Sequence, residues 1–267
     1  MKILVTGATG SVGRLVVDAL LAAGATDVRA LTNNPAKAAL PDGVEVVTGY
    51  LGRPETLPAA LAGVDRMYLA PLVQTVNEVV TLAKDAGVGR IVDLAGPEGG
   101  FWRAIEEAVE GSGISWTHLE AGEFMANTLM WADQIRTTGM VRDAYPEAAN
   151  APIAMEDIAA VAATVLLEDG HDGRAYELTG PQTLTCAEMV RLIGVALGRE
   201  IQFVEETREQ AIARLAPGMG EFAGWYVDGK AALVEHPQRA VPTVETITGR
   251  PGMTFAEWAE RYAGEFR

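Results

Sequence analysis

Three glycines in the opening segment, "ILVTGATGSVGRLVV", sit at positions 7, 10 and 13. They follow a short apolar run and precede a stretch with helical spacing, the arrangement that suits a dinucleotide pyrophosphate. Gly7 permits a tight turn, Gly10 lets the backbone approach the phosphates, and Gly13 lets a helix pack close to a strand. The helix start then offers free N–H groups and a partial positive charge. Thr6, Thr9 and Ser11 can add hydroxyl donors, and Val12 and Arg14 complete the first turn. A glycine-rich turn that binds nothing is the plain alternative.

The end of the next strand selects between the two common dinucleotides. An acidic residue there binds the ribose hydroxyl of NAD, whereas an arginine accommodates the extra phosphate of NADP. The sequence reads "ALTNNPAKA". Thr32, Asn33 and Asn34 are neutral, and Asp27 lies at the wrong end of the strand. Asn33, Asn34 and Pro35 suit an ordinary turn equally well. NAD and NADP both fit, and two nearby cations, Lys37 and Arg14, lean the site towards NADP. Tyr50, Ala70 and Ala95, at the ends of later strands, are the remaining expected cofactor contacts.

The chemistry facing such a cofactor is less plain. A tyrosine four residues before a lysine can pass a proton to a carbonyl as hydride arrives. One match exists, Tyr226 and Lys230 in "YVDGK". It lies far beyond the fifth strand, and Gly229 weakens any helix there, so it reads as a chance match. Where the pair belongs, "AGPEGGFWRAIEE" contains neither residue type. Its polar groups are Glu98, Arg103, Glu106 and Glu107, with Asp93 just before; Glu106 and Glu107 read as a solvated helix face. Trp102 could wall a flat substrate or simply pack within its helix. After the sixth strand, Glu123, Phe124 and Asn127 are substrate-pocket candidates. Glu120 is a weak candidate acid or base, against the plainer reading of a surface ion pair.

The three histidines, His118, His171 and His236, are scattered, and no spacing suggests a metal site or a nucleophile–base pair. Cys186 is the only cysteine, which excludes an intramolecular disulfide and fits a reducing cytoplasm. In "LTCAEMV" it reads as a helix-start residue, with Thr185 as N-cap and Glu188 closing a capping box.

These residues need elements to hold them. Strand and helix signals alternate through residue 122, with glycine stops between them. That rhythm predicts an α/β fold: a doubly wound parallel sheet of the Rossmann type, with ligands at the carboxyl ends of its strands. From 123 to 267 the rhythm changes. "EFMANTLMWADQIRTTG" and "MEDIAAVAATVLLEDG" read as helices, followed by strand, helix, strand and two further helices. The expected organisation is a dinucleotide-binding domain, 1–122, and a smaller α/β lobe, 123–267, packed on it and covering the substrate.

The net charge is −15 and 49% of the 267 residues are hydrophobic. Such a chain can bury a large core, and its surface repels nucleic-acid backbones and anionic lipid. The expected partner is therefore a small molecule, with no nucleic acid and no membrane; a homodimer is compatible with the same surface. The N-terminus does not read as a signal peptide, and no run is long enough to span a bilayer.

Taken in order, "TGATGSVGR", "VRALTNNPAKA", "LPDGVEVVTGYL", "SGISWTHLEAGEFMAN", "EDIAAVAATVLLEDG", "YELTGPQTLTCAEM" and "TGRPGMTFAEWA" resemble the NmrA-like group of atypical short-chain dehydrogenases. That group includes NAD(P)H-dependent quinone reductases. The resemblance covers nearly the whole chain and implies an NAD(P)-binding domain with a C-terminal lobe. There are departures. Asn33 stands where relatives often carry arginine, and Tyr50 where many carry aspartate. Ala95 and Gly96 replace a serine pair, and Glu120 replaces the arginine of a Leu-Arg-Pro-Gly motif.

The resemblance and the missing Tyr-Lys pair imply an NAD(P)H-dependent oxidoreductase. Its substrate would be a quinone or another electron-poor aromatic or carbonyl compound that accepts hydride without a dedicated proton donor. Two other readings stay open. One is a nucleotide-binding sensor without turnover, as NmrA itself is regarded. The other is a non-redox isomerase, dehydratase or cyclase on the same scaffold.

Overall fold

The computed structural model describes residues 1–96 and 102–267. Glu98 lies outside the described residues. In chain order the first elements are β1 (Ile3–Val5), α1 (Ser11–Ala22), β2 (Val28–Thr32), β3 (Glu45–Thr48), α2 (Pro58–Leu61) and β4 (Arg66–Leu69). There follow α3 (Val76–Asp85), β5 (Arg90–Ala95), α4 (Arg103–Ser112), β6 (Ser115–Ala121), α5 (Ala132–Thr138), β7 (Met140–Asp143) and β8 (Ala149–Asn150). The chain continues through α6 (Met155–Leu167), β9 (Arg174–Leu178), β10 (Leu184–Thr185), α7 (Cys186–Leu197) and β11 (Gln202–Glu205). It ends with α8 (Arg208–Met219), α9 (Phe222–Glu235), α10 (Thr243–Thr248) and α11 (Phe255–Arg261).

Seven strands form one sheet in the order β3-β2-β1-β4-β5-β6-β9. Every pairing in it is parallel. Strands β1, β2 and β5 are buried along their whole length, as a sheet covered on both faces requires. The chain runs outward from β1 to β3, then returns to lay β4 against the other side of β1. This reversal is the switch point at which doubly wound sheets bind ligands.

The chain divides into two compact units, and the division differs from a single cut after residue 122. The first unit holds residues 1–122, 155–178 and 243–250; the second holds 123–154, 179–242 and 251–267. The expected lobe therefore gives up α6, β9 and α10. The physical reason is visible in α6, which buries Ile158, Ala159, Val161, Ala162, Ala163, Val165 and Leu166. A helix this apolar needs cover on most sides and finds it in the first unit. Arg66 and Arg90, at the starts of β4 and β5, donate to the Leu166 and Glu168 carbonyls at its C-terminus, each at 2.7 Å. Cations suit that end of a helix.

The second unit contains two small sheets, β7 with β11 in parallel and β8 with β10 antiparallel. Its core gathers Phe255, Trp258 and Phe266 around Met189 and Ile193. The segment 123–139, expected as one helix, is instead a 3₁₀ run over Met125–Trp131 followed by α5. The Thr128 hydroxyl donates to the Met125 carbonyl at 2.7 Å, a local bond that competes with regular helix. Thr185 does cap α7, and Glu188 completes the capping box.

Candidate functional site

At the β1–α1 turn each glycine has a separate reason. Gly7 has φ +60°, and a Cβ there would stand 2.8 Å from the Ala70 Cβ. A Cβ on Gly13 would overlap the Gly7 carbonyl. The loop is therefore a cradle that any side chain would fill. Thr6 fixes its floor: its hydroxyl donates to the Tyr68 carbonyl at 2.9 Å and accepts from the Ala70 N–H at 2.8 Å. Thr6 is thus a structural clamp between β1 and β4. No side chain caps α1 at Gly10, so the first-turn N–H groups stay available. Thr9, Gly10 and Ser11 are exposed, whereas Val12 and Gly13 are buried. These residues fit a pyrophosphate.

The rest of the expected cofactor rim lies in the same unit. Thr32 ends β2, and its hydroxyl accepts from the Asn34 N–H at 3.2 Å, which closes the turn. Asn33 and Lys37 are exposed beyond it. Arg14 is anchored: it contacts Asp18 at 3.2 Å and donates to the Ala39 carbonyl at 2.6 Å. Tyr50 is 44% exposed, with its ring over Gly52, and Ala95 is buried at the end of β5.

A buried polar pair in this unit escaped the sequence. His118 Nδ1 lies 2.7 Å from Asp93 Oδ2, and both residues are essentially inaccessible. They are direct neighbours across β5 and β6. His118, read as one of three scattered histidines, and Asp93, read as a polar group of the fifth-strand region, are thus one hydrogen-bonded pair. Burial pushes the Asp93 carboxyl up, against the hydrogen bond and charge of His118. Burial also works to deprotonate His118, but Asp93, Glu106 and Glu110 together raise it above its ordinary value. Glu106, expected on a solvated face, is in fact buried and paired with Arg103 at 3.1 Å, while Glu107 is exposed. Trp102 packs against the apolar cluster of the first unit and crowds Gly96.

The second unit encloses a cavity of about 290 Å³. Trp131, Trp225 and Tyr226 supply aromatic walls, with Met130, Met189 and Leu233 beside them. Glu123, Asn127, Asn150, Cys186 and Lys230 are its polar lining. Two of the expected pocket residues, Glu123 and Asn127, meet here, and the Asn127 amide donates to Glu123 at 2.8 Å. Phe124 instead bridges to Ile153, and Trp102 belongs to the other unit. Burial pushes the Glu123 carboxyl up, against Asn127 and Lys230. Burial also raises the Cys186 thiol, which leaves it a packing group.

Residues 7–97 match a family model described as NAD(P)H-binding. A (4-alkanoyl-5-oxo-2,5-dihydrofuran-3-yl)methyl phosphate reductase from Streptomyces griseus is 36% identical, covering 99% of each chain. An NAD(P)H azoreductase from Xenophilus azovorans is 38% identical over 99% of each chain. Among solved structures, an NADPH-dependent quinone oxidoreductase from Escherichia coli, complexed with NADPH, superposes with a TM-score of 0.86. It is 25% identical and the match covers 97% of this chain and 99% of that one.

The chain belongs to the NmrA-like family of atypical reductases. Its N-terminal segment is an NAD(P)H-binding domain.

In this NmrA-like chain the Tyr-x-x-x-Lys match has an unexpected setting. Gly229 does not prevent a helix: α9 forms across it because Ala223, Val227 and Lys230 bury one face. Tertiary burial outweighs the cost of about 1 kcal/mol per glycine. Tyr226 and Lys230 are therefore one turn apart, and both line the cavity. Their electrostatics do not suit proton donation. Lys230 Nζ is committed to Asp143 at 2.8 Å, and Trp131 and Arg214 hold the same carboxylate at 2.9 and 3.0 Å. Burial, then the charges of Glu123 and Asp143, push the Tyr226 phenol up, opposite to an activated tyrosine. Glu120 lies within β6, in register with Ala95 and Glu177, and is half-buried.

Proposed function

We propose that this chain is an NAD(P)H-dependent reductase that prefers NADPH and reduces quinones or other electron-poor aromatic compounds. The observation that carries the cofactor half is the cradle of Gly7 and Gly13, which an added Cβ would fill, at the uncapped start of α1. Gly7, Thr9, Gly10, Ser11, Val12 and Gly13 would take the pyrophosphate. Thr32, Asn33, Lys37 and Arg14 would take the adenosine side, with Tyr50, Ala70 and Ala95 along the rim. The lean to NADPH rests on charge. No acid stands at the end of β2, and Arg14 is held in place by Asp18 and the Ala39 carbonyl.

Bound NAD(P)H supplies a hydride. The protein then needs to orient the acceptor and keep its surroundings apolar. A quinone that accepts hydride becomes a stabilised phenolate and takes its proton from solvent, so a dedicated tyrosine is unnecessary. The relatives' names, an azoreductase and a quinone oxidoreductase, support the same substrate class. The test is anaerobic oxidation of NADPH and of NADH in the presence of 1,4-naphthoquinone and of an azo dye. NADPH-dependent loss of quinone is expected. Cofactor binding without turnover of either acceptor would point instead to a sensor.

A further inference from the structure

The charges around the second unit's cavity do not cancel. Lys230 donates to Asp143 at 2.8 Å, and Arg214 is shared between Asp143 and Glu206 at 3.0 and 2.9 Å. Glu123 lines the same cavity, and among the described residues no cation is paired with it. Its neighbours are two further lining side chains: the Asn127 amide donates to Oε1 at 2.8 Å, and the Tyr226 hydroxyl lies beside it. Its backbone is fixed, since the Glu123 carbonyl accepts from the Ile153 N–H at 2.8 Å. Glu123 is half-buried, so a ligand can reach it, yet burial already works against its charge. A partly desolvated carboxylate with neutral donors and no counter-charge is costly, and a cation is the partner that would relieve it.

The walls say which kind of cation. Trp131, Trp225 and Tyr226 supply aromatic rings, with Met130 and Met189 beside them. Such a lining gives a small, strongly hydrated ion little to replace its water, but it suits a weakly hydrated alkylated ammonium. The lining already tolerates one ammonium, because Lys230 Nζ lies 6.0 Å from the Trp131 ring centroid. Trp225 lines the cavity while remaining 75% exposed, so a ligand would cover aromatic surface that now faces water. A cavity of about 290 Å³ is at the small end of ligand pockets.

We propose that this cavity is a binding site for a compact alkylated ammonium, with Glu123 as its counter-charge and Trp131, Trp225 and Tyr226 as its aromatic walls. Every lining residue belongs to the second unit, so the site is independent of the cofactor loop and of the reductase reading.

Two probes of equal shape test it without cofactor: choline and its neutral isostere 3,3-dimethyl-1-butanol, followed by calorimetry and by quenching of tryptophan fluorescence. Choline is expected to bind at least about tenfold more tightly than the alcohol. Glu123→Gln is expected to weaken choline by about tenfold and to change the alcohol by less than about twofold. Trp225→Ala should weaken choline and reduce the quenching. The wild-type comparison needs no variant, so a substitution that impairs folding does not rescue the idea. Equal affinity for the two probes would make the cavity merely apolar and overturn the proposal. Absence of choline binding overturns it as well. The chain carries a net charge of −15, so choline binding that survives Glu123→Gln is attraction to the acidic surface and also rules the site out. None of these outcomes involves hydride transfer, so failure here leaves the reductase reading standing.

Discussion

Gly13 and His118 show two ways in which one residue can constrain this protein. Gly13 acts through the space it leaves empty. Gly13→Ala forces the Gly7 carbonyl, which belongs to the cradle, to move. The expected result is loss of NADPH binding by about a hundredfold or more, the equivalent of roughly 2.7 kcal/mol, measured by equilibrium titration. His118 acts through charge. Its folded pKa lies above the unfolded value, so its contribution to stability is complete below about pH 6.5 and is lost as pH rises through the folded pKa. Asp93, also raised, contributes in the same direction. Wild-type Tm should therefore fall from mildly acidic towards alkaline pH, and His118→Gln should flatten that slope. The same variant should be less stable at every pH below it, because Asp93 loses its buried partner. A wild-type Tm that rises across this range would contradict the assignment.

At the scale of elements, α9 is tied to the rest of the second unit by one buried carboxylate. Asp143, at the end of β7, receives Lys230 from α9, Arg214 from α8 and the Trp131 indole from the 3₁₀ run. Burial opposes its charge, but Lys230, Trp131 and Arg214 hold its carboxyl below the usual value. A lowered aspartate contributes stability above its unfolded pKa and loses it as pH falls through the folded one. Lys230→Met leaves Asp143 with a partly desolvated, undercompensated charge, and a loss of about 3–5 kcal/mol is expected in urea unfolding. Asp143→Asn should be milder, because it removes the charge and keeps the shape. If Lys230→Met proved neutral, the carboxylate would not be the tie between these helices.

At the scale of the molecule, cofactor and fold are linked through mass action. A ligand present at about 100 times its Kd adds roughly 2.7 kcal/mol to stability, so NADPH should raise Tm clearly and NADH less at equal concentration. Asn33→Asp places an acid at the end of β2, where it can accept from a ribose hydroxyl and repel a phosphate. The ratio of kcat/KM for NADPH over NADH should fall by about tenfold or more in this variant. An unchanged ratio would mean that Asn33 does not border the adenosine ribose.

Much of this architecture was readable in the chain itself. The apolar runs of β1, β2 and β5, the glycine stops and the glycine loop are local signals, and local signals survive in sequence because each is set by neighbours a few residues away. The capping box of Thr185 and Glu188 is legible for the same reason. Other features depend on residues far apart in the chain. Asp93 and His118 become partners only because β5 and β6 pair in one register. The helix through Gly229 forms only because its apolar face is buried, and α6 leaves the second segment only because the first unit can cover it. The cavity draws Glu123, Asn150, Cys186 and Tyr226 from four separated segments, and no spacing announced it. Sequence alone determined the glycine loop and the winding of the sheet, through backbone conformation and periodicity. Which polar groups are buried, paired or left without a partner was decided by tertiary packing, because desolvation is a property of the surroundings and not of the residue.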